Sequence, residues 1–171
     1  KSFLHLYGNN GINVLGNSFV TSEVTGSMTS GELNIYLYSP KGPINLLGTS
    51  MLVPGLIKAQ VGNGTSWVRL QSEGAQGIDI SDFAVLSDVG YGTSYVDIFA
   101  SGPITIDGTG KDPLDQSARG LYAHSGGSYE SARVRILSDS GDVAINNTMV
   151  EAVDETDGPS LIEVEAREGG V

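Results

Sequence analysis

Apolar and polar residues alternate with period two in run after run of this chain, and β-branched residues fill many of the apolar positions. No stretch carries a helical apolar period, so the pattern predicts an all-β protein. Six runs share one form: Phe3-Leu4-His5-Leu6, Leu33-Asn34-Ile35-Tyr36, Val68-Arg69-Leu70-Gln71, Val96-Asp97-Ile98-Phe99, Val134-Arg135-Ile136-Leu137 and Ile162-Glu163-Val164-Glu165. A glycine follows each of them (Gly11, Gly42, Gly77, Gly102, Gly141, Gly170). Each glycine leads into an alternating apolar pair: Ile12/Val14, Ile44/Leu46, Ile78/Ile80, Ile104/Ile106 and Val143/Ile145, with Val171 opening a sixth. A unit recurring at roughly thirty-residue spacing is the signature of a solenoid.

A third segment completes each repeat, over 19–24, 56–61, 83–89, 121–125 and 149–153. A serine then precedes the next first run: Ser30, Ser66, Ser94, Ser131 and Ser160. Its hydroxyl is expected to cap backbone groups at the turn. The pattern predicts a parallel β-helix of about six coils with three strands per coil, each coil supplying the crossover that parallel strands require. At about 4.8 Å between paired strands, six coils span about 25–30 Å. Such an array needs polar end caps, and none is evident. The expectation is therefore a single β-solenoid segment, 1–171, cut from a longer array. The corner between the second and third segments is short at 16–18, 82 and 147–148. It is expanded at 48–55 and at 108–120, which places loops on one side of the solenoid, a candidate binding side.

Composition narrows the function. The chain has no cysteine, so disulfides and thiolate metal sites are excluded, and its 24 glycines suit a fold of many tight turns. Its net charge is −11, with only nine Lys and Arg. A nucleic-acid groove needs clustered positive charge to displace phosphate counterions, so no nucleic-acid partner is expected. No apolar run approaches the roughly 18 residues of a membrane span.

Outward positions of the first strands read His5, Asn34, Arg69, Asp97, Arg135, Glu163. From Arg69 onward the signs alternate, and opposite charges on adjacent strands stabilise pairing by roughly 0.2–1 kcal/mol each. One pleat further stand Tyr7, Tyr36, Gln71, Phe99 and Leu137, a mainly apolar stripe read first as a surface for lateral protein contact, with cover by the protein's own loops or stacking on sugar rings as the alternatives. Stacked Asn13, Asn45 and Asp79 predict an amide ladder. Lys111, Asp112, Asp115 and Arg119 in the long corner, beside Asp107, are further contact candidates. Acids also gather at Asp154-Glu155-Thr156-Asp157. Calcium is the one cofactor these loops allow, since it takes six to eight hard oxygens. Neither an EF-hand nor a GGxGxDx repeat is present, and solvated acidic loops are the favoured reading. His5 and His124 form no acid–base pair with each other in the sequence pattern, and no catalytic or metal-ligating set is expected.

The register SxVRILSDSGDVAINN, with SYVDIFASGPITIDG and SWVRLQSEGAQGIDISD, resembles the filamentous-haemagglutinin family of secreted bacterial exoproteins. The interposed LIKAQVGNGTS, FAVLSDVGYGTS and GLYAHSGGSYES resemble the haemagglutinin-type repeats of cyanobacterial exoproteins. The resemblance implies a right-handed β-helix, export through an outer-membrane partner, and adhesive or surface-layer roles. The expected function is that of a non-enzymatic, extracellular structural or adhesive solenoid. Its partners would be other copies, neighbouring solenoid segments or surface glycans. A carbohydrate-active β-helix, such as a polysaccharide lyase or a phage tailspike, is the alternative.

Overall fold

The computed structural model describes residues 1–24, 30–48, 55–108, 120–127 and 131–171. Within them lie fourteen strands: β1 (Ser2–Tyr7), β2 (Ile12–Leu15), β3 (Phe19–Val24), β4 (Ser30–Ser39), β5 (Ile44–Leu47), β6 (Gly55–Ser72), β7 (Ile78–Ser81), β8 (Phe83–Ala100), β9 (Ile104–Asp107), β10 (Gly120–Ser125), β11 (Ser131–Ser138), β12 (Val143–Asn146), β13 (Met149–Asp154) and β14 (Ser160–Ala166). Each observed pairing is parallel. The short strands β2, β5, β7, β9 and β12 form a five-stranded sheet, and the others a nine-stranded one. In the smaller sheet spatial order equals chain order, so the chain climbs as a β-solenoid of about 4 turns.

The core consists of the columns that alternation foretold. Ile12, Ile44, Ile78, Ile104 and Val143 are in register, as are Val14, Leu46, Ile80, Ile106 and Ile145. Across the axis the larger sheet supplies Leu37, Leu70, Ile98 and Ile136, all fully buried. In β6 and β8 the chain does not break where the sequence separates a third segment from the following first run; each is one strand of 18 residues. The bend falls at stacked glycines, with Gly31 beside Gly64 and Gly64 beside Gly92. Gly64 and Gly92 hold φ of 118° and 138°, a region only glycine enters readily.

The short corner between second and third segments turns on a single left-handed residue: Gly16, Asp82 or Asn147. Asp and Asn tolerate that conformation better than other side-chain-bearing residues, so one residue suffices where the sequence showed almost no linker.

Two registers differ from expectation. In the second repeat the sequence placed Asn34 in the His5 column and Tyr36 in the Tyr7 column. The structure pairs His5 with Tyr36 and Tyr7 with Tyr38. A slip of two residues keeps every side chain on its own face, so alternation alone cannot detect it. The serine column is also shorter than expected. Ser66 and Ser94 pair with each other and Ser160 falls in the same column, but Leu33 and Ala132 fill its other positions, while Ser30 sits beside Asn63 and Ser131 beside Thr93. Ser66 and Ser94 point inward, fully buried, and donate to the carbonyls of Ala59 and Ser87 at 2.8 and 2.7 Å. A second buried set was not foreseen: Ser72 and Ser138 donate to the carbonyls of Gly42 and Gly102, each at 2.9 Å.

Candidate functional site

Strands β1, β4, β11 and β14 and the C-terminal halves of β6 and β8 lie side by side, and their outward side chains form three columns. The first is Phe3, Asn34, Trp67, Tyr95, Arg133, Leu161. The second is His5, Tyr36, Arg69, Asp97, Arg135, Glu163, and the third Tyr7, Tyr38, Gln71, Phe99, Leu137, Glu165. Inward residues between them are aliphatic. The outward face is instead rich in aromatic rings and arginines, an unusual surface for a strand face turned to water.

The rings and guanidiniums interlock. His5 meets Tyr36 edge-on at 5.6 Å, and Tyr36 stacks on Tyr38 at 5.8 Å. The Arg69 guanidinium lies 5.5 Å from the Tyr36 ring and 4.9 Å from the Phe99 ring. Arg133 covers Tyr95 at 4.7 Å, and Arg135 approaches Phe99 at 5.5 Å. Such contacts are worth about 0.5–1 kcal/mol at exposed sites and more when desolvated. Tyr36 also donates its hydroxyl to Gln71 Oε1 at 2.8 Å.

Asp97 is the buried charge of this face, only 1% exposed. Trp67 Nε1 donates to its Oδ2 at 2.8 Å, and Arg133 lies 3.2 Å from its Oδ1. The alternating column therefore pairs only in part as expected. Arg135 does bridge to Glu163 of the adjacent strand at 2.9 Å. Asp97, however, is held by Trp67 and Arg133 of the neighbouring column, because aromatic rings occupy the flanks of Arg69.

Among the described residues two grooves on this face share Arg69. The larger, about 380 Å³, runs past Gln71, Phe99, Leu137, Asp139 and Arg167. The smaller, about 180 Å³, is a cradle of Phe3, His5, Asn34, Tyr36, Trp67 and Arg69 above Ile35. Of the predicted contact residues, Tyr7 is 67% exposed, and Tyr36 and Phe99 are half-buried. Leu137 is 9% exposed and contributes mainly packing. Trp67, Tyr38, Tyr95 and Arg133 belong to the face but were not singled out as contacts, although strand alternation puts them on it. Lys111, Asp112, Asp115 and Arg119 lie outside the described residues. Comparison with family models, curated proteins and solved structures finds no match.

Elsewhere the polar groups serve the backbone. Asn45 donates to Asn13 Oδ1 at 2.7 Å, one step of the expected ladder, but Asp79 accepts from Ser81 instead. Asp154 Oδ1 accepts the amides of Thr156 and Gly158, which uses this acid as a turn cap. Among the described residues no three His, Asp or Glu gather as metal ligands, and no helix is long and apolar enough to cross a membrane.

On the outer side of the third segments, His124 sits between two acids. Its Nδ1 is 2.7 Å from Asp88 Oδ1 and its Nε2 is 3.1 Å from Glu155 Oε1. The Asp88 hydrogen bond, opposed by partial burial and helped by Glu155, pushes the imidazole from 6.5 up to about 9. The folded value exceeds the unfolded one, so this stabilisation is complete below pH 6.5 and fades as pH rises through about 9. Urea unfolding across that window is expected to show stability falling with pH. A His124→Gln variant should flatten the fall; an unchanged slope would remove His124 as its cause.

Proposed function

We propose that the chain is a segment of a non-enzymatic, extracellular structural and adhesive β-solenoid. It would belong to a large secreted exoprotein or surface fibre of the filamentous-haemagglutinin kind. The finer coil geometry we propose is right-handed, with about six coils of three strands each. The observation that carries this reading is the aromatic and arginine face spread over adjoining strands. It is long, shallow and repetitive, as suits contact with an extended surface rather than enclosure of one reacting group. Stacked parallel coils supply stiffness. The outermost strands β1 and β14 present the apolar side chains of Phe3, Leu161 and Ile162 at edges able to pair with further strands.

Beads coated with the protein and presented to intact cells under flow test the reading. Retention is expected, with loss when Tyr36→Ala and Tyr7→Ala are combined. Equal retention of that variant, or no retention at all, would sink the adhesive role. The alternative, a carbohydrate-active β-helix, is favoured by the mixed acids and arginines of the larger groove, where Glu73 and Asp139 lie with Arg69 and Arg167. Release of reducing ends, or of unsaturated uronates, from an acidic polysaccharide would establish it.

A further inference from the structure

Four arginines stand on or beside the aromatic face, and three of them are neutralised. Arg133 pairs with Asp97, Arg135 with Glu163, and Arg167 with both Asp139 and Glu165. Arg69 has no carboxylate partner among the described residues; its Nε is buried without a hydrogen bond, as are those of Arg133 and Arg135, so the missing carboxylate is what sets it apart. Tyr36 and Phe99 flank its guanidinium. An arginine so placed forgoes the bidentate carboxylate contact that guanidinium geometry favours.

The cradle around it has matching chemistry. No carboxylate lines it. Asn34 turns its Nδ2 toward Glu32, at 3.1 Å, and its Oδ1 is buried without a partner. Glu32 is itself bound by Lys1 at 2.6 Å. Two lining residues thus give the cradle complementary polarity, a guanidinium without a carboxylate and a side-chain amide. Around them stand the rings of Phe3, His5, Tyr36 and Trp67, which offer apolar surface at low conformational cost. At about 180 Å³ the cradle suits one sugar ring, well below the roughly 300–1,000 Å³ of pockets that enclose drug-sized ligands.

We propose that this cradle binds a single acidic sugar of an otherwise neutral glycan, with its carboxylate on Arg69, a hydroxyl on Asn34 and its apolar face against the rings. The inference rests on the adhesive reading and names the chemistry of its partner. A net charge of −11 disfavours a densely charged chain. A sparsely charged glycan brings one carboxylate to the one arginine without a carboxylate among the described residues, and little repulsion elsewhere. Added salt, which screens the protein's overall field but not the contact pair, should leave this binding intact between about 10 and 150 mM.

Trp67 is the only tryptophan of the chain and lines the cradle, so its emission reports occupancy directly. The experiment titrates the whole 171-residue chain with glucuronoxylotriose, which carries one uronate on neutral xylose, and in parallel with neutral xylotetraose and with tetragalacturonate. The expected result is a saturable change with glucuronoxylotriose and binding about tenfold or more weaker for xylotetraose. Arg69→Gln should lose that preference while still unfolding cooperatively, with a melting point lowered only by the loss of its two ring contacts, and Arg69→Lys should keep part of it. Equal affinity for the uronate and neutral ligands would overturn the acid assignment, as would tighter binding of tetragalacturonate than of glucuronoxylotriose. Silence toward all three overturns the site itself. Cell retention that persists with a silent cradle means that only this inference has failed. Sugar binding without cell retention means that the adhesive reading has failed.

Discussion

Gly92→Ala is expected to destabilise the protein by about 3–5 kcal/mol, enough to unfold the middle of the solenoid. Two effects add. Gly92 holds φ at 138°, where a Cβ is strained whatever the space around it. A Cβ built there would also sit 1.8 Å from the carbonyl oxygen of Gly64 on the adjacent strand, which is backbone and cannot rotate away. Because each coil contacts only its neighbours, the loss uncouples the two halves of the stack. Gly31 lies in the same corner column, yet a Cβ there meets only Val61 Cγ2 at 3.5 Å, an ordinary contact. Gly31→Ala should therefore cost no more than about 1 kcal/mol. Urea unfolding followed by far-ultraviolet circular dichroism compares the two. Similar midpoints for both variants would refute the stacked-glycine account of the corner.

Asp97→Ala is expected to cost about 2–4 kcal/mol. It removes a carboxylate that is 1% exposed and strands the Trp67 indole N–H, 2.8 Å away, together with the Arg133 guanidinium. Arg133 is 33% exposed and can recover some water, which keeps the cost below that of breaking a fully buried pair. Asp97→Asn should fall between the wild type and alanine, since an amide oxygen still accepts from the indole but carries no charge for Arg133. Trp67 emission should shift in the alanine variant as its N–H partner is lost. Denaturant midpoints and emission spectra of the three proteins decide the matter, and a wild-type midpoint for Asp97→Ala would show that Asp97 does not organise the face.

Much of this was legible in the residues. Alternation placed Ile44, Ile78 and Ile104 in one column and Leu46, Ile80 and Ile106 in another, and the structure stacks them so. The glycines after each first run marked the turns. The candidate site was harder to read. Tyr36 was recognised as outward but assigned to the wrong column, because a two-residue slip leaves its face unchanged. Trp67 and Arg133 went unremarked although alternation puts them outward, and nothing local to either marks Asp97 as their shared partner. Arg69 looked like one member of a charge ladder; its lack of a carboxylate emerges only when Tyr36 and Phe99 are seen on either side of it.

The sequence by itself determined the period, the inward columns and thus the parallel solenoid, because burial of every second side chain is a local property repeated along the chain. Only the tertiary structure decided the register of the second repeat, the fusion of segments into β6 and β8, and which arginine of the described face lacks a carboxylate. Those depend on which side chains become neighbours across strands some thirty residues apart in sequence, where ring planes, guanidiniums and backbone carbonyls compete for the same space.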